Sequence, residues 1–184
     1  CIQEMKQLSQ YHKPDIEYHM DLPEYITKLN KSLLLLTKID NGQFTDTKDL
    51  ELNTLLKQYL EDYKEVYDYR NIEVNITEQD RFHIVMNESL AVALLTNLLK
   101  NAFVHNMDGG RIQIIITKNS ITFRNSGSGH PLDEEHIFER FYQGSKKEGS
   151  TGLGLAIADS ICRLQHLNIR YYFEQEEHCF EILK

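Results

Sequence analysis

The chain has 184 residues, enough for one ordinary domain with a smaller helical appendage and ample material for a core. Acidic residues outnumber basic ones 28 to 20, a formal charge of -8 that argues against nucleic acid as the main partner. No apolar run approaches the ~18 residues of a membrane span, the longest being Leu33 to Leu36, and the odd set Cys1, Cys162 and Cys179 suits a reducing compartment.

The sequence opens Cys-Ile-Gln-Glu-Met, without an initiator Met, as an excised fragment would. Ile2, Met5 and Leu8 read as the tail of a helix broken at the Lys13-Pro14-Asp15 turn. Leu22, Ile26, Leu29, Leu33 and Leu36 then recur at steps of four and three, a heptad seam that favours a helix packed lengthwise in a bundle. The Asn41-Gly42 pair ends it. Residues 1–44 are therefore expected to form a partial helical hairpin, and residues 45–184 a second domain.

After a polar link from Thr45 to Lys48, Leu50 to Tyr69 reads as a helix, Asn71 to Thr77 as a strand and Phe82 to Met86 as a second, short one. The stretch from Leu90 to Asn106 is the centre of the chain. Leu90, Leu94, Leu95, Leu98, Leu99 and Ala102 give it a broad apolar face, while Asn97, Asn101 and His105 stack four apart as a polar stripe beside that face. Asparagine is a mediocre helix former, so two of them bordering leucines need partners for their amides. Arg111 to Thr117 and Ser120 to Arg124 predict a hairpin across Lys118-Asn119, Gly152 to Leu164 a helix, and Ile169 to Phe173 with Cys179 to Leu183 the last strands. The elements predict an α+β fold, a two-layer α/β sandwich with helices on one face of a mixed sheet.

Two glycine-rich loops follow the asparagine helix, Asn125-Ser126-Gly127-Ser128-Gly129 and Gly149-Ser150-Thr151-Gly152-Leu153-Gly154-Leu155. Glycine lets backbone approach a phosphate closely, and the positive end of the second helix would face such an anion. The second loop is no Walker loop, because Leu155 stands where Lys is required. Neither is a dinucleotide fingerprint, since Ile157 and Leu132 replace the third glycine. Cys162 with His166 and His178 with Cys179 lack the second short-spaced pair of a structural zinc site; buried thiols and surface histidines explain them better.

In this order the segments resemble the N, G1, F and G2 boxes of the ATP-binding domain of sensor histidine kinases, within the GHKL group that also holds gyrase, the heat-shock chaperone ATPases and the mismatch-repair ATPases. The resemblance runs from about residue 45 to the end, and residues 29–44 are similar to the second helix of a kinase dimerisation hairpin. It implies the Bergerat fold, ATP and Mg²⁺ as cofactors, and transfer of the γ-phosphoryl to a histidine. It further implies a response regulator receiver domain as partner, a homodimer through the hairpin, and a cytoplasmic domain whose parent protein is anchored in the bacterial inner membrane. No His-Glu-x-x-x-Pro motif occurs, and His12 and His19 sit in the wrong context, so the phosphoacceptor is expected upstream.

Carried over position by position, the resemblance gives Asn101 to the Mg²⁺. It assigns Asn97, Asn101, His105, Asn125, Gly127, Gly129, Arg140, Thr151, Gly152, Leu153, Gly154 and Leu155 to the nucleotide. A lid from Ile137 to Ser150 is expected to close on it, with the domain swinging about Gly42. Asn97 stands where the ATPase branches carry a glutamate base; an amide cannot activate water, which favours phosphoryl transfer over hydrolysis. Three positions depart from the pattern: Asn125 replaces the aspartate that binds the adenine amine, Val104 a Lys or Arg, and Gln143 an arginine. Arg140, Lys146 and Lys147 are possible substitutes. The alternative these departures support is a degenerate nucleotide-binding or scaffold domain without kinase turnover.

Overall fold

A computed structural model describes residues 22–127, 129–144 and 150–184. The expected first helix, the Pro14 turn, His12, His19, Ser128, Lys146, Lys147 and Gly149 lie outside the described residues. The elements in chain order are α1 (Leu22–Asp40), β1 (Lys48–Glu51), α2 (Leu52–Val66), a 3₁₀ turn (Asp68–Arg70), β2 (Glu73–Glu78), β3 (His83–Met86) and α3 (Glu88–Val104). They continue with β4 (Arg111–Ile116), β5 (Ser120–Ser126), α4 (Gly154–Leu164), β6 (Asn168–Glu174) and β7 (Glu177–Leu183).

Five strands form a mixed sheet in the order β2-β4-β5-β7-β6, parallel only between β2 and β4. Register pairs Ile114 with Phe123 and Phe123 with Phe180, so the even residues of β4 and β7 and the odd residues of β5 share one face. That face is apolar, and Ile112, Ile114, Ile116, Ile121, Phe123, Phe180 and Ile182 join one core with the leucines of α3 and with Ala158 and Ile161 of α4. The opposite face is charged. Glu177 there accepts hydrogen bonds from the Nε atoms of Arg111 (2.5 Å) and Arg124 (3.1 Å), and Arg170 bonds Glu181. Alternation of the strands thus separates a helix-covered side from a polar one, as a two-layer sandwich requires. The C-terminal end of α1 joins the same core through Leu36 and Ile39.

Helix α3 is stopped at both ends by side chains. Asn87 Oδ1 accepts from the amides of Ser89 (2.9 Å) and Leu90 (3.3 Å), satisfying orphan donors of the first turn. At the other end the Arg70 guanidinium donates to the carbonyls of Phe103 (2.5 Å) and Asn106 (2.7 Å) and pairs with Asp108. A cation there also complements the helix dipole.

The structure differs from the sequence expectation at three element boundaries. Lys48 to Glu51 is a strand, not a link and helix start, because it pairs antiparallel with β3, Leu50 opposite Ile84, and buries Leu50. Helix α2 ends at Val66 and gives way to the 3₁₀ turn, which Asn71 closes in the left-handed region at φ 51°. Helix α4 starts at Gly154, because Gly152 has φ 66° and cannot be helical.

Buried Asn53 holds the connection between β2 and β3. Its Nδ2 donates to Glu78 Oε2 (2.9 Å) and the Asp80 carbonyl (3.0 Å), and its Oδ1 accepts from the Phe82 amide (2.9 Å). Asn53→Leu would keep the volume and leave the Phe82 amide without its partner, so a loss of about 1–3 kcal/mol is expected. A urea unfolding midpoint equal to that of the parent would show that this clamp does not hold the turn.

Candidate functional site

The polar stripe of α3 runs along the border of the core. Asn97 Nδ2 donates to the Ala93 carbonyl at 2.7 Å, which turns its Oδ1 towards the start of α4. A Cβ on Gly154 would lie 2.9 Å from that oxygen, so the second glycine loop rests on Asn97, whose carboxamide a side chain there would have to displace. One turn on, Asn101 is half-buried, and its carboxamide hydrogen-bonds no described residue. His105 closes the helix, its amide donating to the Asn101 carbonyl at 3.0 Å.

The first glycine loop begins at the last inward-facing residue of β5. Asn125 is 1 % exposed and stands opposite His178 of β7. Its Nδ2 donates to the Ser126 carbonyl (3.1 Å), whereas its Oδ1 is buried with no hydrogen-bond donor among the described residues. A buried acceptor without a partner costs free energy, so it marks a place where a ligand donor would be welcome. At Gly127 a Cβ would lie 2.6 Å from His178 Nε2 and 3.6 Å from the His105 carbonyl. The loop backbone is therefore wedged between β7 and the end of α3. Gly129 has φ 70°, the left-handed conformation that glycine adopts without strain.

The two loops meet α3 at Asn97 and at His105, eight residues or about 12 Å of helix apart, and Asn101 lies midway. The three segments that the sequence singled out thus lie side by side. Leu153 precedes α4 with its own side chain buried and without a side-chain cap, so the first amides of the helix have no capping side chain. Thr151, Gly152 and Leu155 are partly exposed around it.

Two described residues of the segment expected to act as a lid bond to this loop. The Phe141 amide donates to the Gly152 carbonyl (2.9 Å), and Gln143 Nε2 to the Ser150 carbonyl (2.7 Å). Phe141 adopts φ 65° and remains exposed. The Arg140 guanidinium pairs with Asp40, the last residue of α1, at 2.9 Å.

Several residues that shape the site escape sequence reasoning. Buried Asn106 donates to the Arg111 carbonyl (3.1 Å) and accepts from the Met107 amide (2.9 Å) and Ser126 Oγ (2.7 Å), tying the end of α3 to the strand that carries Asn125. Arg70 fixes the same helix end. His178 is a correction, since it is buried rather than a surface histidine; its even parity with Phe180 and Ile182 in β7 was the available signal. Cys162 and Cys179 are buried free thiols as expected, burial pushing Cys162 up to about 12.

Burial holds His178 below the ordinary histidine value, whereas the Asp133 carboxylate hydrogen-bonded to exposed His136 raises that imidazole above it. With a depressed folded value, His178 binds fewer protons folded than unfolded. Its contribution to stability is complete above about pH 6.5 and is lost as pH falls through the folded value. Ring-proton NMR titration should separate the two, His136 above and His178 below that reference. Coincident midpoints would contradict both environments.

The family described as histidine kinase-, DNA gyrase B-, and HSP90-like ATPase matches residues 86–182, which include α3, both glycine loops and α4. The chain is 31% identical over 157 residues to the heme sensor protein HssS of Staphylococcus saprophyticus, an alignment covering 82% of this chain and 34% of that protein. To HssS of Staphylococcus aureus (strain Newman) it is 34% identical over 152 residues, 79% of this chain and 33% of the relative. The chain thus spans about a third of the length of these relatives. Among solved structures, the Acinetobacter baumannii histidine kinase AdeS superposes with a TM-score of 0.68 at 17% identity, covering 97% of this chain and 89% of that one. The mycobacterial sensor histidine kinase MprB gives 0.65 at 22% identity, covering 74% and 95%. Histidine kinase ThkA, solved in complex with the response regulator protein TrrA, gives 0.64 at 20% identity, covering 98% of this chain and 55% of that one. With the family model spanning more than half of its length, the chain belongs to the histidine kinase-, DNA gyrase B- and HSP90-like ATPase family, homologous to the HssS heme sensor proteins and folded like the catalytic domains of histidine kinases.

Proposed function

We propose that this chain is the Mg-ATP-binding catalytic part of a two-component sensor histidine kinase. Residues 45–184 are its nucleotide domain, residues 1–44 part of its dimerisation hairpin, and a histidine upstream in the longer protein receives the γ-phosphoryl. The observation that carries this reading is the buried Oδ1 of Asn125, without a partner among the described residues, beside a glycine whose backbone packs against the His178 ring. An exocyclic amine of a purine is the donor that such an acceptor lacks.

The residues present fit the nucleotide. Asn125, Gly127 and Gly129 would hold the base, and Asn101, whose carboxamide oxygen has no described partner, the Mg²⁺; oxygen ligands shared with phosphates suit that cation. Thr151, Gly152, Leu153, Gly154 and Leu155 would offer backbone amides and the positive end of α4 to the phosphates. Asn97 braces that loop, and His105 supports the first. The bound metal would supply charge neutralisation across the phosphate oxygens, while the protein contributes mainly position. Arg140 joins the site only when the lid leaves Asp40. Response regulator docking, dimerisation through the hairpin and membrane anchoring of the parent protein belong to the same proposal.

One observation favours the scaffold reading instead. Arg140 is held by Asp40 and Gln143 by Ser150, so two polar groups of the lid already have protein partners. A protein extended upstream through the dimerisation helices separates the two. With radiolabelled Mg-ATP it should gain acid-labile, base-stable phosphate on histidine, and Asn101→Leu should lower the labelling at least tenfold. At a hundred times its dissociation constant, Mg-ATP should add about 2.7 kcal/mol of stability. No label and no stabilisation at millimolar ATP would leave the scaffold standing.

A further inference from the structure

Beside the orphan acceptor of Asn125 stands a histidine that the nucleotide reading leaves without a task. His178 is 5 % exposed, lies directly opposite Asn125 across β5 and β7, and faces the same way. Residues so paired hold their Cβ atoms about 4.5–5.5 Å apart. The His178 Nδ1 lies 2.9 Å from Tyr171 Oη, and the same oxygen accepts the Leu132 amide at 2.9 Å. Because Leu132 can only donate and no other described residue accepts from Tyr171, the single hydroxyl proton goes to Nδ1. The neutral ring then carries its own hydrogen on Nε2. That nitrogen borders Gly127 and hydrogen-bonds no described residue. Burial favours the neutral ring that this arrangement requires.

The paired strand positions therefore hold an acceptor and a donor, neither with a partner among the described residues. The amide orientation of Asn125 is fixed by its bond to Ser126, so the order of the two groups is fixed as well. Resting on the nucleotide reading above, we propose that His178 is a specificity-determining residue that reads the base, its Nε2 hydrogen donating to adenine N1 while Asn125 Oδ1 accepts from the adenine amine. Guanine in the same pose would set its O6 against Oδ1 and its N1 hydrogen against the Nε2 hydrogen, two mismatches in place of two bonds. Tyr171 is a positioning residue. It selects the tautomer of His178 and, through Leu132, joins the far end of the glycine loop to β6.

The test is equilibrium binding of Mg-ATP, Mg-GTP and Mg-1-deaza-ATP, which lacks only the N1 acceptor, to the whole chain and to His178→Phe and Tyr171→Phe. The parent protein should bind 1-deaza-ATP about tenfold more weakly than ATP, the loss expected for one buried hydrogen bond, and GTP more weakly still. His178→Phe should bind ATP about tenfold more weakly and no longer distinguish ATP from 1-deaza-ATP. Tyr171→Phe keeps the imidazole and serves if His178→Phe does not fold; it should narrow the same ratio without abolishing ATP binding. An unchanged ratio in the folded variant, or GTP bound more tightly than ATP by the parent, would overturn the role of His178 while leaving nucleotide binding intact. A parent protein that binds none of the three would instead overturn the nucleotide reading itself, and this proposal with it.

Discussion

The site depends on one constraint, the fixed position of α3 against the sheet. Eight buried residues of this helix, from Leu90 to Phe103, lie in the core. The Asn87 cap and the Arg70 guanidinium hold its two ends. Sliding or rotating the helix would expose leucines worth about 1.5–3 kcal/mol each when fully buried. Its polar stripe is therefore held rigidly, and both glycine loops take their places from it, one on Asn97 and one against His105.

The polar groups that matter lie at the border of that apolar layer, where an unmade hydrogen bond is costly. The structure resolves most of them internally: Asn106 makes three bonds, Asn53 three, and His178 one through Tyr171. Among fully buried side-chain atoms of the described residues, the exception is Asn125 Oδ1. An acceptor left over in an otherwise satisfied layer is a strain reservoir that binding can relieve. The segment expected to form the lid is anchored at one end by buried Ile137, whereas its Arg140 contact with Asp40 is exposed and worth little in water.

Much of this was legible in the sequence because it is local. The leucine period of α3, the hairpin of β4 and β5 and the two glycine loops each declare themselves within a dozen residues, and the resemblance to kinase boxes joined them into a site. What was not legible depends on pairing across the chain. Strand β1 exists only because Leu50 meets Ile84, and Arg70 matters only because Phe103 lies 33 residues further on. The start of α4 was read two residues early, since the left-handed turn at Gly152 is set by contact with Phe141. His178 was hidden behind its neighbour Cys179, although strand alternation already put it on the side of Phe180.

The most direct measurement of the central claim is a side-chain and backbone amide NMR spectrum recorded with and without Mg-ATP. If α3 and the two loops form one nucleotide site, the carboxamides of Asn97, Asn101 and Asn125 should shift together with the amides of Gly127 and Gly154, and those of Asn53 and Asn75 should stay in place. Shifts absent from all five, or confined to the outer face of the sheet around Glu177 and Glu181, would contradict it.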